Sequence, residues 1–378
     1  MPMENKAYRI AQFGAFDVKS YGDVLFPQAL QENLRKRINC KIDLFASHAK
    51  DQLFGGEQPV YGFDDFQQRD LRIHYDAIVI GGGELLHFKP ILFSNEEKQL
   101  NPGELWLKPM MYARDRSIPC FVYCCGVPYD LSTEQEEVLS ENAGLGTHFS
   151  VRDQFSYWRL KKVELPQARV QLVADPLLDI EKLYSKERLD QCFSLLAQQN
   201  AHIRTQKYIV AQYGTTKDIH EMANQLQRIE ELTALPIILL PINQCHEDEV
   251  AATGIRRTSN NSLEQIAIPL EPLDIMSIIA NAAFFIGTSL HGCLTAASYQ
   301  VPFVGIDMYP GFVSKMDGLF TMLGCEQYLA PEAKSLTATF RRRMQDTAVE
   351  QLIGTAIESG QKRLQCYYDE VAATIRGE

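Results

Sequence analysis

Between Ala282 and Met308 the chain runs as strand, break, helix and strand, and few folds accommodate that order. Ala282-Ala283-Phe284-Phe285-Ile286 is an apolar strand, and Gly287-Thr288-Ser289 breaks it sharply. Leu290-His291-Gly292 then opens a helix of small residues, and Val301 to Ile306 forms the next apolar strand. Such a unit belongs to an alternating α/β chain. Thr288 or Ser289 is placed to cap the helix, because a side-chain oxygen there accepts from an unpaired backbone N–H. His291 falls in the first helical turn, where free N–H groups and the positive end of the helix dipole favour an anion. A histidine there either packs against its neighbours or donates to an oxyanion and moves a proton.

The chain has 378 residues, enough for two domains of about 150–200 residues each. A formal net charge of −11 argues against a broad nucleic-acid surface and against nucleic acid as a partner, although cations gathered in a cleft can still bind anions. The apolar runs all fall short of the roughly 18–20 residues of a membrane span. Met1 to Arg9 is polar and leads straight into a strand, unlike a signal peptide. Nine cysteines without a paired CxxC pattern suit neither a disulfide scaffold nor a zinc site, and a reducing cytoplasm is the expected compartment.

Along the chain, Tyr8 to Phe13 reads as the first strand and Val24 to Lys36 as an amphipathic helix with Asp23 as its natural cap. Cys40 to Phe45 is the next strand. Lys50 to Arg72 has no clear pattern and fits a long loop or short helices. Asp76 to Ile80 is a buried strand ending in Gly81-Gly82-Gly83-Glu84. Such glycines permit either a tight turn or a close backbone approach to a ligand. Phe149-Ser150-Val151 is a strand followed by Arg152-Asp153 and a helix from Gln154. Arg152 and Asp153 thus stand where ligand groups gather in open α/β sheets, or else form a local salt bridge.

Pro176 to Ser185 reads as the connection between halves, and the alternation resumes with a strand from Lys207 to Gln212. His246, Glu247 and Asp248 are expected in a solvated loop rather than at a metal. Ile266 to Pro269 reads as a short strand, and Asp307 to Gly311 as a loop before Lys315 opens a helix. Arg341-Arg342-Arg343 reads as a solvated helix face, and Asp346 to Ile375 as a long amphipathic helical region that packs back across the domain junction. The expected architecture is two Rossmann-like α/β domains facing each other across a cleft, over 1–180 and 181–345, with a helical segment over 346–378.

The order of these motifs resembles the polysaccharide pyruvyl transferase family. The matching pieces are Tyr21-Gly22-Asp23, Ile80-Gly81-Gly82-Gly83, Ser150-Val151-Arg152-Asp153 with Ser156, Ala174-Asp175-Pro176, Ser289-Leu290-His291-Gly292, and the strand Pro302 to Ile306 with Lys315. The resemblance spans roughly Tyr8 to Cys325. The resemblance implies a GT-B-like fold and transfer of a pyruvate ketal from phosphoenolpyruvate to two hydroxyls of a sugar. The acceptor it implies is a surface polysaccharide or a lipid-linked precursor. In this chain Ser289 stands where many members carry arginine, which leaves the mode of anion binding open.

Phosphoenolpyruvate carries a carboxylate and a phosphate, so its site needs cations or N–H groups and a proton donor. His291 and Arg152 are the expected catalytic pair. Arg152, Ser289, His291, Gly292 and Lys315 form the expected donor set, with Arg152 as a fork for the carboxylate and Lys315 as a point charge for phosphate. Asp23, Gly81, Gly82, Gly83 and Glu84 form the expected acceptor set in the first domain. No metal or cofactor is expected. Association with a membrane would come through the acceptor, and a homo-oligomer stays open. A nucleotide-sugar transferase and a non-catalytic carbohydrate-binding member of the family are the alternatives.

Overall fold

The structure is a computed structural model that describes residues 6–70, 72–92, 99–100, 102–199, 203, 207–260, 262–266, 269–309 and 313–378. Residues 1–5 of the polar leader, the middle of the strand expected at Ile266 to Pro269, and Pro310-Gly311 lie outside the described residues.

The chain divides into two compact units, residues 1–176 with 360–378 and residues 177–359. Among the described residues the first unit holds strands β1 (Tyr8–Phe13), β2 (Cys40–Ala46), β3 (Val60–Gly62), β4 (Ala77–Ile80), the short hairpin strands β5 (Ile91–Leu92) and β6 (Gln99–Leu100), β7 (Cys120–Cys125), β8 (Thr147–Val151) and β9 (Arg169–Leu172). Seven of them form one parallel sheet in the order β3-β2-β1-β4-β7-β8-β9. The stretch that had no clear pattern supplies β3 and a helix over Phe63–Asp70.

The second unit holds β10 (Ile209–Gln212), β11 (Ile237–Leu239), β12 (Glu264–Gln265), β13 (Phe284–Gly287), β14 (Phe303–Ile306) and β15 (Leu329–Ala330). They form a parallel sheet in the order β12-β11-β10-β13-β14-β15. Strands such as Ala-Ile-Val-Ile in β4 and Ile-Ile-Leu in β11 are buried along their whole length, as befits sheets covered by helices on both faces.

Each sheet reverses its order once, between β1 and β4 in the first unit and between β10 and β13 in the second. In open parallel sheets the loops leaving the carboxyl ends at that reversal are where ligands bind. The glycine turn Gly81 to Gly83 leaves β4, and the turn into His291 leaves β13.

The last helix, Val349–Arg376, spans 28 residues, and its part from Gly360 onward belongs to the first unit. There the Tyr368 hydroxyl shares a 2.6 Å hydrogen bond with that of Tyr123, Arg363 donates to the carbonyl of Val173, and Arg37 pairs with Asp369. Burial of Leu364, Tyr367, Tyr368 and Val371 stabilises this attachment by roughly 1.5–3 kcal/mol for each fully covered aliphatic side chain. The basic run at 341–343 is not all solvated. Arg343 is buried, facing Tyr328 and paired with Glu350, because its helix turns that side toward the sheet. Among the described residues no helix is long and apolar enough to cross a membrane.

Candidate active site

In the first unit the glycine turn is shaped by lack of room. Gly81 has φ +107°, and a Cβ there would stand 2.3 Å from the Cys125 sulfur and 3.1 Å from the Tyr123 carbonyl. Gly83 has φ +91°, and its Cβ would stand 2.8 Å from Asp23 Oδ1. Asp23 is therefore not the cap expected for the first helix. That helix, Leu25–Arg35, starts behind Val24 without a side-chain cap, and the Asp23 carboxylate lies against Gly83 instead. The turn is tied down by Gln12, whose Nε2 donates to the Gly81 carbonyl at 2.7 Å, and by the Gly126 N–H, which donates to the Gly83 carbonyl. Burial pushes the Cys125 thiol up to about 12, so it packs as a neutral group rather than serving as a nucleophile.

Arg152 leaves the end of β8 and joins three of the sequence motifs. Its Nη1 donates to Asp175 Oδ2 at 3.3 Å, and its Nη2 lies 3.7 Å from Glu84 Oε1. The guanidinium side chain is only 3% exposed, and among the described residues its buried Nε has no hydrogen-bond partner. Burial works against the charge, but Glu84, Asp175 and Asp153 outweigh it and raise the pKa of Arg152 further. A Cβ on Gly126 would meet Glu84 Cγ at 2.9 Å and Arg152 Nη2 at 3.1 Å, so this glycine gives the ion pair its space. Asp153 turns away from the cluster. It caps the helix Gln154–Lys162 by accepting from the Ser156 N–H at 2.7 Å and hydroxyl at 2.8 Å. Ser156 in turn accepts from the Val127 N–H.

The second unit builds its turn from hydrogen bonds. Ser289 caps the helix Leu290–Ser298, its Oγ accepting from the Gly292 N–H at 3.2 Å. The Gly292 N–H is thereby engaged, while the Ser289 hydroxyl keeps a proton to donate. Thr288 is not the cap. Its N–H and hydroxyl both donate to Gln212 Oε1, at 2.9 and 3.1 Å, and the Ser289 N–H donates to the same oxygen at 2.9 Å. His291 stands in the first turn, half-buried, as its position behind Ser289 predicts. Lys315 is exposed at the start of the helix Lys315–Leu323, whose cap is Ser314 in a reciprocal bond pair with Asp317.

Sequence reasoning missed Gln212 and misplaced Asp248. Gln212 Nε2 donates to Asp248 Oδ2 at 2.8 Å, and the same oxygen accepts from the N–H groups of Ile242 and Asn243. Asp248 is thus 1% exposed rather than solvated, at the start of the helix Asp248–Thr258. Burial pushes its carboxyl up to about 6 despite the hydrogen bonds that lower it. A polar residue closing an apolar strand was the available signal for Gln212, the same kind of signal that marked Arg152 at its strand end. Among the described residues no group of three or more His, Cys, Asp or Glu side chains is placed to hold a metal ion.

Comparison with known proteins agrees with this architecture. A family model described as polysaccharide pyruvyl transferase matches residues 21–308. No curated protein matches the chain in sequence. Among solved structures, HepE from Anabaena in complex with UDP and glucose superposes with a TM-score of 0.60 at 12% identity, covering 98% of this chain and 100% of that one. The S. aureus MnaA–UDP structure gives 0.59 at 9% identity, covering 92% and 91%. The sucrose-phosphate synthase of Thermosynechococcus elongatus gives 0.57 at 12% identity, covering 98% and 97%. At these identities the likeness is one of fold, the GT-B class of glycosyltransferases and epimerases.

Proposed function

This chain belongs to the polysaccharide pyruvyl transferase family, and from that premise we propose that it moves pyruvate from phosphoenolpyruvate onto two hydroxyls of a sugar as a cyclic ketal. The observation that carries the reading is His291 in the first turn of a capped helix at the reversal of the second sheet. The methylene carbon of the donor takes a proton and becomes a methyl group. One sugar hydroxyl attacks the adjacent carbon, phosphate leaves, and the second hydroxyl closes the ring. One hydroxyl proton balances the new methyl hydrogen and the other leaves with phosphate. His291 is assigned the proton transfer, the Ser289 hydroxyl a hydrogen bond to donor oxygen, and Lys315 the phosphate charge.

In the first unit, Asp23, the glycine turn and Glu84 are assigned to the sugar, with Glu84 accepting a hydroxyl proton. Arg152 keeps the role of anchoring carboxylates. At present those are Asp175 and Glu84, so a donor carboxylate at Arg152 would replace the longer Glu84 contact. No metal is assigned to the reaction. The acceptor is proposed to be a surface polysaccharide or its lipid-linked precursor, handled in the cytoplasm.

The test is phosphate release from phosphoenolpyruvate that depends on a sugar acceptor. His291→Ala is expected to lower kcat by about 10²–10⁴-fold with the fold intact. Unchanged turnover in that variant would remove His291 from the chemistry. Absence of both acceptor-dependent release and thermal stabilisation by phosphoenolpyruvate would reject the donor. A second reading, transfer from a nucleotide sugar, draws on the shared fold with proteins solved in complex with UDP. Stabilisation by UDP-sugars and not by phosphoenolpyruvate would favour it.

A further inference from the structure

We infer that Gln212 and Asp248 are positioning residues that hold the turn presenting His291. The inference rests on the proposed role of His291. Gln212 closes β10, directly beside Gly287 of β13 in the sheet register. Its carbonyl oxygen takes the two consecutive N–H groups of Thr288 and Ser289 together with the Thr288 hydroxyl. Those are the last residues before the helix that carries His291, so one side-chain oxygen sets the departure angle of that helix.

An amide can serve in this way only if its oxygen and nitrogen are told apart. Asp248 does so, since its carboxylate accepts from Gln212 Nε2 and leaves Oε1 facing the turn. The reversed amide would set its NH2 group against three donors and its oxygen against a carboxylate. Asp248 is itself held by the N–H groups of Ile242 and Asn243, on the loop after β11. The Gly214 N–H donates to Thr288 Oγ1 and completes the connection. A Cβ on Gly214 would stand 3.2 Å from Gln212 Nε2 and 3.3 Å from Asp248 Oδ1, so the loop after β10 comes down onto the same network. Three loops and two strands thus converge on one amide beneath the catalytic turn.

The test combines amide hydrogen exchange over residues 284–292 with steady-state turnover, using full-length protein. Asp248→Ala is expected to speed exchange at Thr288 and Ser289 and to lower kcat by about ten- to a hundredfold, with KM for phosphoenolpyruvate much less affected. Asp248→Asn keeps an acceptor toward Gln212 and is expected to preserve both exchange and kcat. Gln212→Met keeps the volume, removes both ends of the amide, and carries the test if Asp248→Ala proves too unstable to purify. The double variant should be no slower in turnover than Gln212→Met, because Asp248 acts through Gln212. Unchanged exchange in Gln212→Met would overturn the network. Faster exchange with unchanged kcat would overturn the positioning role. If the wild-type protein turns over no phosphoenolpyruvate, the donor assignment fails, while the exchange comparison still decides whether the amide holds the turn.

Discussion

The two units carry a glutamine at equivalent places, and they use it differently. Gln12 lies on β1 and Gln212 on β10, each beside the reversal of its sheet, and each reaches over to the turn leaving the adjacent strand. Among the described residues the Gln12 side chain makes one bond, to the Gly81 carbonyl, and its buried Oε1 has no partner. Gln212 is satisfied at both ends, by Asp248 on one side and by Thr288 and Ser289 on the other. The first turn therefore takes its shape mainly from exclusion, with glycines where no Cβ fits, whereas hydrogen bonds give the second its shape. On the proposed assignment, the turn cleared of side chains offers its backbone together with the Asp23 and Glu84 carboxylates to the sugar. The turn braced by an amide presents His291 in a set direction, which suits the proton transfer proposed for it.

The sharpest way to break this comparison is to add one methyl group to each turn. Gly81→Ala forces a Cβ onto the Cys125 sulfur at a positive φ, and a stability loss of about 3 kcal/mol or more is expected in denaturant unfolding. Gly287→Ala meets the Phe285 ring at 2.7 Å and Gln212 Oε1 at 3.0 Å without a positive φ, so its loss should be smaller, on the order of 1–2 kcal/mol. Equal losses would dissolve the contrast between exclusion and bracing.

The next comparison is between the glutamines. Gln212→Met leaves buried N–H groups unpaired and should cost about 1–3 kcal/mol for each that finds no new partner. Gln12→Met gives up a single bond and also removes an unpartnered oxygen, so a loss of about 1 kcal/mol or less is expected. A larger loss at Gln12 would reverse the reading.

The smallest expected effect lies in pH. Asp248 is raised from 3.8 to about 6, so the folded protein binds its proton more tightly than the unfolded chain does. Its contribution to stability is full below about pH 4 and is lost as pH rises through about 6. Unfolding free energy of wild type relative to Asp248→Asn should therefore fall across that interval. A difference that is flat, or that rises, would show that the carboxyl is not raised.

Much of the fold was legible because its signals are local. Apolar runs marked almost every central strand, and Ser289 marked a helix start, where its side chain bonds an N–H three residues on. The order of turns was legible too, and it placed His291 in its helical turn and Arg152 at its strand end. Asp23 misled because an aspartate ahead of an amphipathic run is a good local cap, yet the carboxylate settled against Gly83, 60 positions away in the chain. Asp248 misled because a polar stretch reads as solvated until a distant amide and two loop N–H groups enclose it.

The sequence by itself determined the alternation of strands and helices, the cap at Ser289, and the glycines at the first turn. These depend on bonds and steric limits spanning a few residues. Only the tertiary structure decided which polar groups became partners. Gln212 meets Asp248 across 36 positions and Thr288 across 76, and Arg152 meets Asp175 across 23. Those separations close only after the sheets have set their strand order. Burial then attaches a cost to every polar group left unpaired, and that cost selects the partners.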